Sequence, residues 1–110
     1  MAGFIKGEVV VIPFPFSDLS QTKKRPALIV STLLGNDVIL CQITSVGRRK
    51  PYVISLQKTD FQSGQLHINS YIRPNRLFTA ESSIILKSVG IIKQDKMNEI
   101  INNLVYIIKN

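Results

Sequence analysis

Short apolar segments recur along the first two thirds of the chain, and polar residues, glycines or prolines separate them. The segments are rich in β-branched residues and therefore predict β-strands. We expect strands at residues 6–12, 25–31, 37–45, 52–56 and 66–73. In the third segment, period-two alternation puts Ile39, Cys41 and Ile43 on one face. Thr44 then lies on the other face, at the polar end of the strand.

The pattern changes to helical spacing near the C-terminus. Met97, Ile100, Leu104 and Ile108 fall on one side of a helix, and Asp95 before them is a good N-cap residue. This predicts an amphipathic helix that closes the chain. About five short strands and one terminal helix indicate a single domain over residues 1–110. Its fold class is mainly β with helices (α+β), with the helix covering a small barrel-like sheet.

The length of 110 residues and the hydrophobic content of 45% suit one folded domain with one core. The N-terminus has no apolar stretch of signal-peptide length, and no apolar run approaches the roughly 20 residues that span a bilayer. Cys41 is the only cysteine, so neither an internal disulfide nor a cysteine-based metal site can form. We therefore expect a cytoplasmic protein without membrane association.

The chain is strongly basic, with 14 Lys and Arg against 7 Asp and Glu and a net charge of +7. This balance favours a polyanionic partner, such as nucleic acid, an acidic protein or an anionic membrane surface. The alternative is basicity without a specific partner, as in many small proteins. The acidic residues are scattered without metal-ligand spacing. We expect neither a metal ion nor a cofactor.

Arg25 is the first candidate for chemistry. It follows the polar segment 17–24, which we interpret as a surface loop, and it opens a strand. A guanidinium can meet two phosphate oxygens at once and stays protonated. Thr44 can offer a hydroxyl to the same phosphate. The alternative is that Arg25 belongs to a solvated basic run with Lys23 and Lys24, and that Thr44 only favours strand formation.

His67 is the only histidine, so acid–base catalysis by two histidines is excluded within one subunit. A lone histidine on a polar strand face is more often a surface residue than a catalyst. Other basic residues can form a groove that tracks phosphates, with tyrosines for base stacking, or simply a solvated face. The residues concerned are Arg48, Arg49, Lys50, Arg73 and Arg76, with Tyr52 or Tyr71.

Several stretches of the sequence together resemble the MazF/PemK toxins, and most closely their PemK-like branch. The first are Lys6-Gly7-Glu8-Val9-Val10, Phe14-Pro15-Phe16-Ser17-Asp18-Leu19 and Lys24-Arg25-Pro26-Ala27-Leu28-Ile29-Val30-Ser31. The later blocks Ile43-Thr44-Ser45 and Ser70-Tyr71-Ile72-Arg73-Pro74-Asn75-Arg76 agree with them. The most specific part is the spacing from Phe-Pro-Phe-Ser-Asp-Leu to Arg-Pro-Ala-Leu.

The resemblance implies an SH3-like barrel of the PemK and CcdB type with a C-terminal helix, paired into a homodimer. It implies the toxin of a type II toxin–antitoxin system, an endoribonuclease that cleaves single-stranded mRNA at short motifs and stops translation. The chemistry of that family needs no metal and leaves a 2′,3′-cyclic phosphate and a 5′-hydroxyl. A small acidic antitoxin is the expected protein partner.

The resemblance also assigns residue roles. Arg25 matches the catalytic arginine of the family and Thr44 its partner hydroxyl, while segment 17–24 matches a mobile loop over the RNA. Many relatives carry Asp where this chain has Asn75, and Asn cannot serve as the general base assigned to that Asp. The base therefore lies elsewhere, or activity is reduced. Substrate-binding roles are expected for Lys23, Lys24, Ser45, Arg48, Arg73, Asn75 and Arg76.

Two other functions stay open. A CcdB-like toxin would keep the fold and bind a protein target such as DNA gyrase through its C-terminal helix. A non-catalytic SH3-like module would bind RNA through the basic face without cutting it, and Asn75 would then mark the lost chemistry.

Overall fold

One antiparallel sheet forms most of the fold. The computed structural model describes residues 3–15, 22–47, 49 and 51–110. The elements are β1 (Glu8–Pro15), β2 (Thr22–Thr32), β3 (Asp37–Thr44), β4 (Ile54–Leu56), β5 (Phe61–Gly64), β6 (Ser70–Glu81), β7 (Lys87–Ile92) and the helix α1 (Gln94–Lys109). The strand order is β4-β6-β3-β2-β1-β7-β5. The predicted α+β class is confirmed as a curled half-barrel sheet with one C-terminal helix.

β5 and β7 have no counterpart among the predicted strands. β5 buries only Phe61, and β7 is exposed or half-buried except at Ile92. Neither strand therefore shows the period-two pattern that marks a strand in sequence. β7 pairs with β1, and β5 pairs with β7. Both strands are therefore determined by pairing with distant parts of the chain and not by local propensity.

Two predicted boundaries are wrong. The strand expected at 66–73 is β6, which begins only at Ser70 and continues through Pro74. β2 begins at Thr22, so Lys23 and Lys24 belong to a strand and not to the predicted loop. The rest of that loop, residues 17–21, lies outside the described residues.

The two faces of the sheet carry separate apolar clusters. The helix-side face is the face covered by α1, and the open face is the opposite one. The alternation predicted for β3 is confirmed, because Cys41 and Ile43 lie in the helix-side cluster and Leu40 in the open-face cluster. Helix-side members include Val9, Leu28, Ile72, Met97, Ile100 and Leu104, and open-face members include Val10, Ile12, Ala27, Ile29 and Val38.

Helix α1 starts two residues earlier than its polar pattern indicates. Lys93 is the N-cap, with extended backbone and no side-chain capping bond, while Asp95 lies in the first turn. The prediction of Asp95 as N-cap is therefore wrong. The backbone N–H of Lys93 donates to the carbonyl of Asp60 at 2.8 Å, which ties the helix start to the sheet connection. No helix within the described ranges is long and apolar enough to span a membrane.

Helix packing gives a first test of this architecture. Ile100 is fully buried, whereas Ile108, also expected on the apolar side, is 72% exposed. We expect Ile100→Ala to lower the free energy of unfolding by about 2–5 kcal/mol, because it leaves a cavity in the helix-side cluster. Ile108→Ala should change it by only about 0.5 kcal/mol. Urea unfolding measures both, and equal losses would contradict the assigned packing.

Cys41 gives a test by pH. The thiol is free and buried, and burial raises its pKa from 9.0 to about 12. The unfolded chain loses this proton at a lower pH than the folded chain. The free energy of unfolding should therefore fall between pH 9 and about 12, by up to about 1.4 kcal/mol per pH unit. Cys41→Val should show a shallower fall in urea unfolding over that range, and an unchanged slope would contradict the burial of the thiol.

Candidate functional site

The open face turns polar where β2, β3 and β6 lie side by side. Gln42 of β3 pairs with Ala27 of β2 and with Arg73 of β6, and Thr44 pairs with Tyr71. Directly paired residues share a face, and Ala27 belongs to the open-face cluster. Gln42, Thr44, Tyr71 and Arg73 therefore all lie on the open face.

Arg25 joins this group from β2. It pairs with Ile12, a member of the open-face cluster, and it precedes Ala27 by two positions on the same strand. Side chains two positions apart share a face. Ala27 is opposite Gln42 in the pairing of β2 with β3, and continuing that register by two positions brings Arg25 level with Thr44. The predicted catalytic residues thus lie on one face of adjacent strands.

Both arginines are half-buried, and the Nε atom of each is withdrawn from solvent. For Arg73, the described residues offer Nε no hydrogen-bond partner. Leaving a buried donor unpaired costs free energy. A bound anion would satisfy this donor, so the position of Arg73 favours an anionic ligand.

A bulge follows Arg73 in β6. Cys41 pairs with Leu77 while its neighbour Gln42 pairs with Arg73, so the residues between Arg73 and Leu77 have no partner in β3. Pro74 fits this position, because it has no backbone N–H to give to the ladder. Bulges re-aim the side chains next to them, and this one turns part of β6 out of the regular pleat.

The bulge exposes Asn75 and Arg76 directly beside Arg73. The three substrate contacts predicted on β6 are therefore neighbours at one irregular point of the sheet. Arg76 also lines a cavity of about 400 Å³ on the open face, whose wall is mainly apolar. The other lining residues are Ile12, Pro13, Gln42, Leu77, Phe78, Thr79, Ala80 and Ile84.

The Thr44 hydroxyl already makes local hydrogen bonds. Thr44 is buried, and its Oγ1 donates to the carbonyl of Val46 at 2.9 Å and accepts from the backbone N–H of Val46 at 3.2 Å. These bonds close the turn that ends β3. A hydroxyl has a single proton to donate, so donation to a phosphate requires the bond to the Val46 carbonyl to break.

A second cavity, of about 300 Å³, opens beside Arg25, and we call it the arginine cavity. It brings together four predicted site residues, and its wall also contains His67. Ile43 of the helix-side cluster also lines it, so the cavity is not confined to the open face, and Thr44 is not among its lining residues. None of the lining residues that the structure describes is acidic, and three are basic, so the described wall is an electropositive recess suited to phosphate. The four predicted site residues in its wall are Lys23, Lys24, Arg25 and Ser45.

Some predicted positions cannot be joined to this group. Arg48 and Lys50 lie outside the described residues, while Arg49 between them is exposed.

Gln42 was not among the predicted site residues. The sequence does contain a signal for it, because it is a polar residue on the same face as Thr44 in an otherwise aliphatic strand. In the described part of the chain, no cluster of His, Cys, Asp and Glu side chains is placed to hold a metal ion.

Comparison with known families gives one match that spans almost the whole chain. Residues 5–108 match the model for the PemK-like, MazF-like toxin of type II toxin–antitoxin systems. Comparison with curated protein sequences gives no significant match.

Solved structures share the fold at low sequence identity. An endoribonuclease from Mycobacterial species is 20% identical, with a TM-score of 0.75, and the match covers 99% of this chain and 94% of that one. An endoribonuclease in complex with its cognate antitoxin, also from Mycobacterial species, has 20% identity, a TM-score of 0.75 and coverage of 97% and 96%. MazE-MazF from Deinococcus radiodurans has 17% identity, a TM-score of 0.77 and coverage of 99% and 98%.

The Thr44 turn can be tested separately from any activity. Thr44→Val keeps the side-chain shape but removes both hydrogen bonds to Val46, so we expect the free energy of unfolding to fall by about 1–2 kcal/mol. Thr44→Ser keeps the hydroxyl and should lose less. Ser45→Ala, at the exposed neighbouring position, should stay within about 0.5 kcal/mol of the parent protein. A Thr44→Val protein as stable as the parent would refute a structural role for the hydroxyl.

Proposed function

The chain belongs to the PemK-like, MazF-like toxins of type II toxin–antitoxin systems, and we propose that it is a metal-independent, sequence-specific endoribonuclease acting on single-stranded mRNA in the cytoplasm. The observation that carries the proposal is the clustering of Arg25, Lys23 and Lys24 around one recess. Such a recess suits a phosphodiester. Cleavage of mRNA would stop translation.

The charge distribution supports binding of a polyanion. The chain carries a net charge of +7, and two of its acidic residues, Asp60 and Glu99, form salt bridges with Lys96 on α1. Arg73 and Arg76 add positive charge on the open face next to the bulge. A phosphate backbone would gain contacts along this surface and release counterions on binding.

We propose that Arg25 stabilises the reacting phosphate. The 2′-oxygen of the ribose attacks phosphorus, and negative charge grows on the non-bridging oxygens as the new bond forms. A guanidinium placed before the reaction begins stabilises that charge without reorganisation. The bond to the 5′-oxygen then breaks, which leaves a 2′,3′-cyclic phosphate on one fragment and a 5′-hydroxyl on the other.

Two proton transfers complete the reaction. The proton of the 2′-hydroxyl must pass to a base, and the leaving 5′-oxygen must gain a proton. Asn75 cannot accept a proton, so its position cannot supply the base. An imidazole nitrogen can accept a proton, and His67 shares the arginine cavity with Arg25. We therefore propose that His67 accepts the first proton and that a water molecule supplies the second to the 5′-oxygen. Thr44, after release from Val46, would donate a hydrogen bond to the phosphate.

A protein partner fits the same surface. The solved MazE-MazF structure and the mycobacterial endoribonuclease with its cognate antitoxin have this fold. We propose that this chain likewise forms a homodimer and is neutralised by an acidic antitoxin. The basic charge and the mainly apolar 400 Å³ cavity on the open face supply complementary surface for such a segment.

The nuclease assignment predicts the outcome of one RNA digestion. The purified protein, in EDTA, should cut a long single-stranded RNA at discrete sites that carry 5′-hydroxyl ends, mapped by primer extension. Arg25→Ala should reduce the cleavage rate by roughly 100- to 1000-fold, because it removes one donor to the transition-state phosphate. Lys109→Ala, which removes an exposed positive charge at the end of α1, is the control and should cut normally.

Either of two results would contradict the assignment. A folded protein that leaves RNA intact but binds it would favour the non-catalytic binding module. Near-full activity of Arg25→Ala, with normal folding by circular dichroism, would remove Arg25 from the catalytic role.

A further inference from the structure

A third cavity, of about 310 Å³, lies directly beside the arginine cavity. The two cavities share a wall made by Leu66, His67 and Ile68, in the segment that leads into β6. We call the third cavity the amide pocket, because three carboxamide side chains line it. They are Gln57, Gln65 and Asn69, and the remaining lining residues are Leu56, Lys58 and Phe61.

Hydrogen bonds fix one wall of the amide pocket. The backbone N–H of Gln57 donates to the Asp60 carboxylate at 2.8 Å, and the N–H of Asp60 returns a bond to the Gln57 carbonyl at 2.9 Å. The same carboxylate lies 3.6 Å from Nζ of Lys96 on α1. The turn that carries Gln57 is therefore held to the helix.

The opposite wall of the amide pocket is fixed by close contact between two backbone segments, one at Gly64 and one at Val89. Gly64 has a φ of 75°, and a Cβ at this position would lie 2.1 Å from the carbonyl oxygen of Val89. That carbonyl accepts the backbone N–H of Gln65 at 3.2 Å. Further along, the hydroxyl of Ser70 donates to the carbonyl of Ile68 at 2.8 Å. The pocket is thus formed before any ligand arrives.

The side chains that line the pocket are suited to a planar, polar ring. In the described structure the side-chain amides of Gln65 and Asn69 have no hydrogen-bond partner, so both can bond to a ligand. Carboxamides offer a donor and an acceptor side by side, which matches the edge of a nucleobase. Phe61 and Leu56, both buried, supply an apolar and partly aromatic surface for the ring.

We propose that the amide pocket receives one nucleobase of single-stranded RNA, next to the phosphate in the arginine cavity, and so selects the sequence that is cut. This inference rests on the proposed function. The shared wall explains the choice of ligand, because one nucleotide carries both a phosphate for the cationic recess and a base for the neighbouring amides. Among the described residues that line the pocket, none is acidic and would repel that backbone, and Lys58 adds a cation.

Binding selection without cleavage tests the pocket directly. A random-sequence library of 2′-fluoro RNA keeps the ribose shape but has no attacking hydroxyl, so the parent protein can bind it and cannot cut it. We expect the parent protein to enrich one base at one position. Gln65→Ala and Asn69→Ala should each weaken that preference by about fivefold or more, because each removes a base-edge contact. Asn102→Ala, an exposed carboxamide on α1, is the matched control and should leave the preference unchanged.

Two further variants distinguish the loss of a base contact from a defect in folding. Gln65→Glu and Asn69→Asp keep the side-chain shape, remove the amide donor and should also shift the preferred base, with unchanged circular dichroism and melting temperature. Variants that enrich the same sequence as the parent protein would overturn the pocket, and so would a parent protein without any base preference. Cleavage of ordinary RNA is scored separately. Selective, pocket-dependent binding without cleavage would support the base pocket while refuting the nuclease.

Discussion

The packing of α1 against one face of the sheet decides which side chains remain for chemistry. Met97, Ile100 and Leu104 bury the helix in the helix-side cluster, and each buried aliphatic side chain contributes about 1.5–3 kcal/mol. Because strand residues alternate between faces, this packing commits every second residue of β2, β3 and β6 to the core. The residues between them, Arg25 and Gln42 among these, are left on the open face.

The bulge in β6 brings two more polar residues to the surface near this face. A regular strand would continue to alternate after Arg73 and would send Arg76, three positions on, to the core side. Pro74 instead occupies a position without a ladder partner, so Asn75 and Arg76 reach the surface beside Arg73. Positive charge is thereby concentrated on one part of a small sheet. The described acidic residues Asp60 and Glu99 engage Lys96 by the helix, so they do not neutralise it.

The sequence predicted the elements whose patterns are local. Alternation in β3 and helical spacing in α1 reflect burial on one face, and both are confirmed. β5 and β7 could not be predicted in this way, because their positions depend on pairing with distant strands. The start of α1 was misjudged for the same reason, since a backbone bond from Lys93 to Asp60 fixes it and not the side chain of Asp95. For the site, family resemblance singled out Arg25 and Thr44, but only the three-dimensional structure reveals the bonds of the Thr44 hydroxyl.

The two adjoining cavities separate two tasks that one active site must perform. The cationic side of the arginine cavity is built from β2 and the end of β3, whereas the amides of the second pocket come from the turn after β4 and the segment before β6. In the proposed mechanism, stabilisation of the phosphate depends on the first set, and base selection depends on the second. Substitutions at Gln57, Gln65 or Asn69 leave the placement of Arg25 unaltered, because Arg25 is positioned by its register with β1. On this proposal, substitutions in the amide pocket would change the RNA sequence that is selected and leave the groups around the phosphate in place.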